Sequence, residues 1–308
     1  MNKTTDTPAR EAKSDRETNT DGGESRTRAE QAYQTGLVQG TELPNHPGQE
    51  IPRVQATQAH FEFVDQAVDI VMISVVTARR LADQGKTAKS VFDEALVAVT
   101  TTIHDEDLEE WFPQREIQLI REFDPDFYVP CDRPVYRTDS KAERREKISR
   151  YLRDIEEIAD AVRSQHVELI PLVKGILPRE RARCYRCFEE LGFDRIGYYC
   201  AQYFLSGNRG EELISDVRQI AQENQPTGML LIGLQSRSYL SRLPPEVIAA
   251  AGQRWIAQSG LRDESLSMRE TQQQYQQWSR QVEESLSGGQ TRLGMFGTTE
   301  SAGGIYGN

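Results

Sequence analysis

Short apolar runs alternate with amphipathic segments along the central part of the chain. The runs have the character of β-strands, each ends on polar residues, and they occupy residues 68–76, 126–129, 167–175, 196–200 and 229–236. Strands that alternate with helices of this length are typical of βαβ units and a parallel sheet. The pattern therefore predicts an α/β fold, a (β/α) TIM-like barrel that is either complete or partial.

The segments between these runs carry apolar residues at helical spacing. Helices, in places mixed with other structure, are predicted at 77–84, 90–99, 107–123, 140–164, 179–191, 210–224 and 244–255. Pro113 interrupts the third of them, and Gly192 supplies the helix stop after the fifth. A short strand is predicted at Trp255 and Ile256.

Both ends of the chain differ in composition from its centre. Residues 1–52 contain hardly any large apolar side chains, so we expect them to be disordered. The barrel is expected to span residues 53–262. Residues 263–308 begin with a Gln-rich stretch, predicted to be an exposed amphipathic helix at most. From residue 287 onward a tail rich in Gly, Ser and Thr is predicted to be disordered.

The charge of the chain limits its partners. The 308 residues carry a formal net charge of −11, which argues against binding nucleic acid over the whole surface. Arg-rich stretches at 133–150 and 179–186 leave room for a local basic groove. The sequence lacks both an apolar run of about 20 residues, which a membrane span requires, and the apolar core of a signal peptide. We therefore expect a cytoplasmic protein without a membrane partner.

Polar residues at the ends of the strand-like runs are candidates for a site. The carboxyl ends of the strands form the active face of a (β/α) barrel, so Asp132, Lys174, Gln202 and Gln235 are expected to converge there. Asp132 is the best candidate for a catalytic carboxylate, and a turn or capping aspartate beside Pro134 is the alternative. Lys174 is the second catalytic candidate. It could hold a phosphate or form a Schiff base, or it could be a surface lysine at a strand end.

Aromatic and amide side chains near these positions are candidates for binding a planar substrate. Tyr136 and Tyr199 offer rings that can stack on a base. Gln202 and Gln235, with Ser236 beside the latter, offer groups that can read a purine edge. For the amides, the alternative is an ordinary polar residue at a strand end.

Three arginines are candidates for contacts with phosphate. Arg133 follows the candidate carboxylate directly, and Arg179 and Arg183 lie on the helix predicted at 179–191. A solvated helix face is the alternative for the last two.

Four cysteines, at positions 131, 184, 187 and 200, are expected to be reduced. Cys184 and Cys187 form a C-x-x-C that could hold zinc with Cys200 as a third ligand. The pair falls within a predicted helix, however, and the chain has no second C-x-x-C. We therefore expect ordinary helix residues here, with no metal and no cofactor.

A short motif in the C-terminal tail suggests a partner. Gln290, Leu293 and Phe296 match Q-x-x-hydrophobic-x-x-aromatic, which resembles the peptide by which archaeal and eukaryotic replication proteins dock on the sliding clamp. The resemblance implies that Leu293 and Phe296 fill an apolar pocket, that Gln290 bonds at its edge, and that the segment orders on binding. Gly297 stands where a second aromatic residue is usual, so weak affinity is expected.

The order and spacing of residues 125–236 resemble the tRNA-guanine transglycosylase superfamily, including its DNA-acting members that install 7-deazaguanines in phage and viral genomes. A strand that ends in a carboxylate, here Asp132, precedes a long basic helix, here 140–164. The strand patterns that follow in the family correspond to residues 173–175, 192–198 and 230–234. The resemblance implies a barrel that recognises guanine or a 7-deazaguanine at Asp132 and exchanges this base in DNA or tRNA.

The chain departs from that family in three places. The Asp-Ser-Gly-Gly-Phe-Gln signature has no match near residues 70–90, the late nucleophilic aspartate is missing after Pro244, and the Cys-x-Cys-x-x-Cys zinc arrangement is absent. Either other residues carry the chemistry, or the chain is a nucleic-acid-binding subunit that needs a catalytic partner. Two other functions stay open. One is a barrel enzyme that uses Lys174 on a small phosphorylated or carbonyl metabolite, and the other is a non-catalytic accessory protein tethered to the clamp.

Overall fold

The computed structural model describes residues 48–64 and 67–294, with side chains through Leu286. Within these ranges eight parallel strands form one sheet. They are β1 (Gln49–Val54), β2 (Ile70–Ser74), β3 (Leu96–Thr100), β4 (Phe127–Val129), β5 (Glu168–Leu169), β6 (Arg195–Tyr199), β7 (Gly228–Ile232) and β8 (Val247–Gly252).

The sheet curls into a barrel because each strand pairs with its neighbours in chain order and β1 pairs with β8. The seam lies between β5 and β6, where the segment after β5 forms an isolated bridge from Leu172 to Gly197. Two backbone hydrogen bonds support it. Val173 N–H donates to the Gly197 carbonyl at 2.9 Å, and Gly197 N–H donates to the Pro171 carbonyl at 2.8 Å. The predicted (β/α) TIM-like barrel is confirmed.

Each strand is followed by at least one helix, as expected of βα units. The helices are α1 (Gln58–Val64), α2 (Val75–Ala82), α3 (Ala88–Phe92), α4 (Asp105–Leu108), α5 (Pro113–Phe123), α6 (Lys141–Val162), α7 (Pro178–Leu191), α8 (Gly210–Asn224), α9 (Arg237–Leu240), α10 (Trp255–Gln258) and α11 (Met268–Gly294). A 3₁₀ turn at Ala201–Tyr203 follows β6. None of these described helices is long and apolar enough to cross a membrane.

Helix α6 shows how local sequence determines an element. The Ser140 hydroxyl accepts the Glu143 N–H at 3.2 Å, and the Glu143 carboxylate accepts the Ser140 N–H at 2.7 Å. This capping box starts the helix. The apolar stripe expected from the sequence is its buried face, where Ile148, Ile155 and Ile158 are fully enclosed. The helix predicted at 140–164 is confirmed.

The first strand corrects the expected domain boundary. β1 begins at Gln49, inside the segment 1–52 whose polar composition predicts disorder. It pairs with β2 on one side and with β8 on the other, so its backbone groups find partners on both edges. These partners are distant in the chain, and local composition therefore does not reveal the strand.

Two other strands lie in segments with predicted helices. β3 begins inside the segment 90–99, which is predicted to be helical or mixed and contains both a helix and a strand. β8 lies inside 244–255, where the helical prediction is wrong. Residues 249–251 are alanines, which favour helix, but they are buried in a strand between β1 and β7. This tertiary context overrides their propensity. The strand predicted at Trp255 and Ile256 is also wrong, because both residues lie in α10.

Helix α11 packs against the barrel, so its prediction as an exposed helix is wrong. Its residues Tyr275, Trp278, Val282 and Leu286 are buried. The Tyr275 ring meets the Phe63 ring of α1 edge to face, with 5.0 Å between centroids. The helix continues to Gly294 and thus into the tail that composition predicts to be disordered from residue 287.

Candidate functional site

A cleft of about 730 Å³ opens at the carboxyl ends of β4, β5 and β6. Its walls come from the segments after these strands and from the segment after β3. The structure brings together at this cleft five of the residues selected from the sequence, namely Asp132, Tyr136, Lys174, Tyr199 and Gln202. Their shared face agrees with the expectation for strand ends, while their roles stay predictions.

Asp132 is positioned by a sharp turn after β4. The preceding Cys131 has a left-handed backbone with φ of 53°. Its N–H donates to the buried Glu116 carboxyl group at 3.1 Å, and the Asp132 N–H donates to Thr101 Oγ1 at 2.8 Å. Burial raises the pKa of Glu116 to about 7. The turn places the Asp132 side chain, nearly buried, on the cleft wall.

Lys174 forms an ion pair with Asp132 through Nζ and Oδ1. The two side chains are only 9% and 7% exposed, so little water screens the pair. Lys174 Nζ also lies 5.6 Å from the centre of the Tyr151 ring, which is within cation–π range. Removing one member of such a pair would leave an uncompensated buried charge. The two residues therefore act as a unit.

Two tyrosines and an amide surround this pair. Burial raises the pKa of the Tyr199 hydroxyl, and the Asp132 carboxylate raises it further. Gln202 Nε2 donates to the Tyr199 carbonyl at 3.3 Å. Tyr136, 39% exposed, donates its hydroxyl to the Asp105 carboxylate. A planar ligand in the cleft would meet tyrosine rings and the charged pair.

Another wall of the cleft combines two tyrosines of the aromatic run at 198–204 with charged groups that the sequence alone does not select. The Tyr198 and Tyr203 hydroxyls are 2.5 Å apart, and Tyr203 donates to Asp216 of α8. Arg209 lies 5.1 Å from the Tyr203 ring centre, and Arg137 Nη2 lies 3.6 Å from Asp216 Oδ2. The run of aromatic residues after β6 was a usable signal. The arginines and Asp216 come from separate elements, so their convergence needs the folded chain.

Gln235 and Ser236 lie outside the lining of this cleft, and their predicted role in substrate binding stays a prediction. Gln235 Nε2 donates to the Glu50 carboxyl group, while Gln235 Oε1 accepts the Arg254 N–H at 2.8 Å. The amide is 4% exposed and is used inside the protein. Ser236 shares a hydrogen bond of 3.0 Å with Ser238. Both residues follow β7, whereas the cleft is built after β3 to β6.

The three arginines proposed for phosphate lie outside the cleft lining, and their role in binding nucleic acid stays a prediction. Arg133 pairs with Asp154 of α6 and lines a smaller neighbouring cavity of about 270 Å³. Arg183 donates to Ser149 Oγ at 2.8 Å, between α6 and α7, and Arg179 is exposed. The arginines that line the cleft are Arg137, Arg181 and Arg209.

The cysteines are buried thiols. Cys184 and Cys187 lie on α7, and burial raises the pKa of Cys184 to about 11 and that of Cys187 to about 12. Cys184 Sγ donates to the Lys174 carbonyl at 3.4 Å. Among the residues that the structure describes, no group of three or more His, Cys, Asp or Glu residues is arranged to hold a metal ion. Zinc ligation by Cys184, Cys187 and Cys200 thus has no support in this geometry.

The clamp motif is only partly within the described chain. Gln290 and Leu293 belong to the last turns of α11, and Phe296 lies outside the described residues. The first part of the motif is therefore helical before any partner binds. Docking on a clamp stays a prediction.

Comparisons with known proteins leave the geometry of the cleft as the guide to function. No family model matches the chain, and no curated protein matches it at a significant level. The resemblance of residues 125–236 to the transglycosylases stays a prediction.

Proposed function

We propose that the cleft binds a guanine-type base, guanine or a 7-deazaguanine, and that the chain takes part in exchanging this base in DNA or tRNA. One observation carries the proposal. Asp132 is a nearly buried carboxylate at the carboxyl end of a barrel strand, and tyrosine rings line the same cleft. A guanine-type base presents adjacent N–H donors on its edge and a flat face. A carboxylate can accept from that edge, and aromatic rings can stack on the face of a flipped base.

Asp132 and Lys174 have complementary roles in this proposal. Asp132 Oδ1 accepts from Lys174 Nζ, which leaves Oδ2 for the N–H groups of the base. When the bond between the purine and C1′ breaks, the departing base needs a proton. The Lys174 ammonium, paired with the carboxylate that holds the base, is the group that we propose as its donor.

Base exchange also needs a carboxylate that attacks C1′. Asp105, Glu106 and Asp216 line the cleft together with Asp132. Asp105 is exposed and accepts the Tyr136 hydroxyl, so it is our candidate nucleophile within this chain. A catalytic partner subunit is the alternative source, and in that case the chain binds the base and the partner cleaves.

The test is incorporation of labelled guanine or 7-cyano-7-deazaguanine into duplex DNA or tRNA, together with calorimetric binding of the free base. We expect Asp132→Asn to lower incorporation by about 100-fold or more, in the range of an acid–base or recognition group. Asp160→Asn, on the exposed face of α6, is the matched control. Base binding without incorporation indicates a partner subunit. Unchanged activity in Asp132→Asn, or no binding by the wild type, would contradict the proposal.

A second function is favoured by the burial of Lys174. An enclosed amine at a strand end can form a Schiff base with a carbonyl substrate once it has lost its proton, and Asp132 is placed to take that proton. Borohydride reduction in the presence of a carbonyl metabolite would then leave a mass increase on Lys174, absent in Lys174→Met. Loss of guanine binding in Asp132→Asn, with no adduct trapped on Lys174 of the wild type, favours base recognition. The trapped adduct without guanine binding favours the metabolite.

A further inference from the structure

Arg53 lies near the carboxyl end of β1 and has no part in the roles proposed above. It is the fifth residue of β1 and pairs in register with Met72 of β2. Its Nη2 donates to the Thr102 carbonyl, just after β3, at 2.7 Å. The neighbouring Thr101 accepts the Asp132 N–H through its hydroxyl. Arg53 and Asp132 are therefore anchored to adjacent residues of one segment.

The Arg53 guanidinium is a largely enclosed cation. Burial lowers the pKa of Arg53, and its interactions with Tyr199 and Asp132 act in the opposite direction. Within the described ranges no carboxylate forms an ion pair with it, and Asp132 is already paired with Lys174. Among the described residues, the Arg53 guanidinium is thus a cation without an ion-pair partner. Buried charges are normally paired, so this arrangement suits a ligand that brings the counterion.

We infer that Arg53 binds an oxyanion of the ligand, a phosphate or a carboxylate, at the barrel mouth beside the Asp132–Lys174 pair. A guanidinium carries five N–H donors in a planar fork that matches such groups. The contact with Thr102 uses one part of the fork and leaves donors for a ligand. A carbonyl partner also holds the side chain in place without neutralising its charge.

This inference deepens the proposed function and rests on it for the identity of the ligand. With a guanine-type base at Asp132, the oxyanion is the phosphate of a nucleotide. With the second function, it is the phosphate or carboxylate of a small metabolite. The chemistry at Arg53 is the same in both cases, so the experiment has to separate the two sources.

The experiment is isothermal titration of the full chain with guanosine, guanosine monophosphate, inorganic phosphate and phosphoglycolate. We expect Arg53→Gln to weaken guanosine monophosphate by at least about 10-fold, equivalent to about 1.4 kcal/mol, and to leave guanosine within about twofold. Arg53→Lys keeps the charge without the fork and should fall between Arg53→Gln and the wild type. Arg179→Gln, which removes an exposed arginine outside the cleft, is the control and should change neither affinity.

Melting temperatures separate binding from a structural role. If Arg53 is needed for folding, Arg53→Gln lowers the melting temperature and weakens guanosine and its monophosphate alike, which would overturn the inference. Removal of an uncompensated buried charge should instead leave the melting temperature equal or higher. Equal wild-type affinity for guanosine and its monophosphate, with no binding of phosphate or phosphoglycolate at millimolar concentration, would also overturn it. Arg53-dependent binding of phosphoglycolate without binding of guanosine would uphold the oxyanion site and reject the proposed base.

Discussion

Glu50 is a carboxyl group enclosed between the barrel wall and α11, and its titration should govern the pH dependence of folding stability. It is 1% exposed. Gln235 Nε2 donates to Oε1, and the Tyr275 hydroxyl lies 2.5 Å from Oε2. Burial raises the pKa of Glu50 from 4.5 to about 8, the Tyr275 hydrogen bond opposes the rise, and Glu283 adds to it. At neutral pH the group is therefore protonated in the folded protein.

The size of the effect follows from the two pKa values. The folded protein keeps a proton that the unfolded chain loses near pH 4.5, so the stability linked to Glu50 is fully present below that pH. It is lost as the pH rises to about 8. At about 1.4 kcal/mol per pH unit the loss is about 5 kcal/mol as an upper value, because rearrangement and water entry reduce the cost of a buried charge.

Glu50→Gln tests this reasoning because glutamine has nearly the same shape and does not titrate. Urea unfolding of both proteins should give similar free energies at pH 5 and a more stable variant, by about 3 kcal/mol, at pH 8. Glu116, with a pKa of about 7, contributes equally to both proteins and cancels in the difference. Glu94→Gln, at an exposed position, controls for the loss of a carboxylate. A difference that stays constant with pH would refute the argument.

Three further substitutions test the packing around the barrel by urea unfolding. Gly175→Ala places a Cβ 2.7 Å from Glu180 Cβ at a residue whose φ is 111°. We expect the free energy of unfolding to fall by about 1–3 kcal/mol and base binding to weaken. An unchanged unfolding midpoint would contradict this. Tyr151→Phe removes the hydroxyl that donates to the Leu172 carbonyl at 2.5 Å. This should lower the free energy of unfolding by about 1–3 kcal/mol. An unchanged free energy would mean that this hydrogen bond does not stabilise the fold. Phe63→Ala, at the fully buried contact between α1 and α11, should cost about 3–5 kcal/mol, and a loss below about 1 kcal/mol would show that this contact is loose.

The fold was predictable where one element carries its own signal. The apolar stripe and the Ser140 cap define α6 locally, and Gly192 ends α7 with φ of 75°. β1 and β8 carry no such signal. The alanines of β8 favour helix, and the polar start of β1 favours disorder, until pairing with each other and with neighbouring strands decides both. Partners that are distant in the chain are the reason why composition failed there.

The candidate site was predictable to the extent that strand ends of a barrel share one face. This rule placed Asp132, Lys174 and Gln202 in the cleft. It failed for Gln235, which also follows a strand but turns its amide toward Glu50. Arg53, which we propose as an oxyanion ligand, was not selected, because composition assigned most of its strand to the polar N-terminal segment. Packing decides whether a residue at a strand end faces a cavity or contacts other side chains of the protein. A single sequence shows no local pattern from which this can be predicted.

The seam between β5 and β6 has a consequence for motion in the barrel. β5 contains two residues, and a single isolated bridge between Leu172 and Gly197 connects its continuation to β6. A wall with few hydrogen bonds opens locally at low free energy. Lys174 follows this bridge on one edge and Tyr199 follows it on the other, so local opening of the seam would change the width of the cleft between them. A ligand that contacts both residues would connect the segments that follow β5 and β6, and its binding would reduce local opening of the barrel.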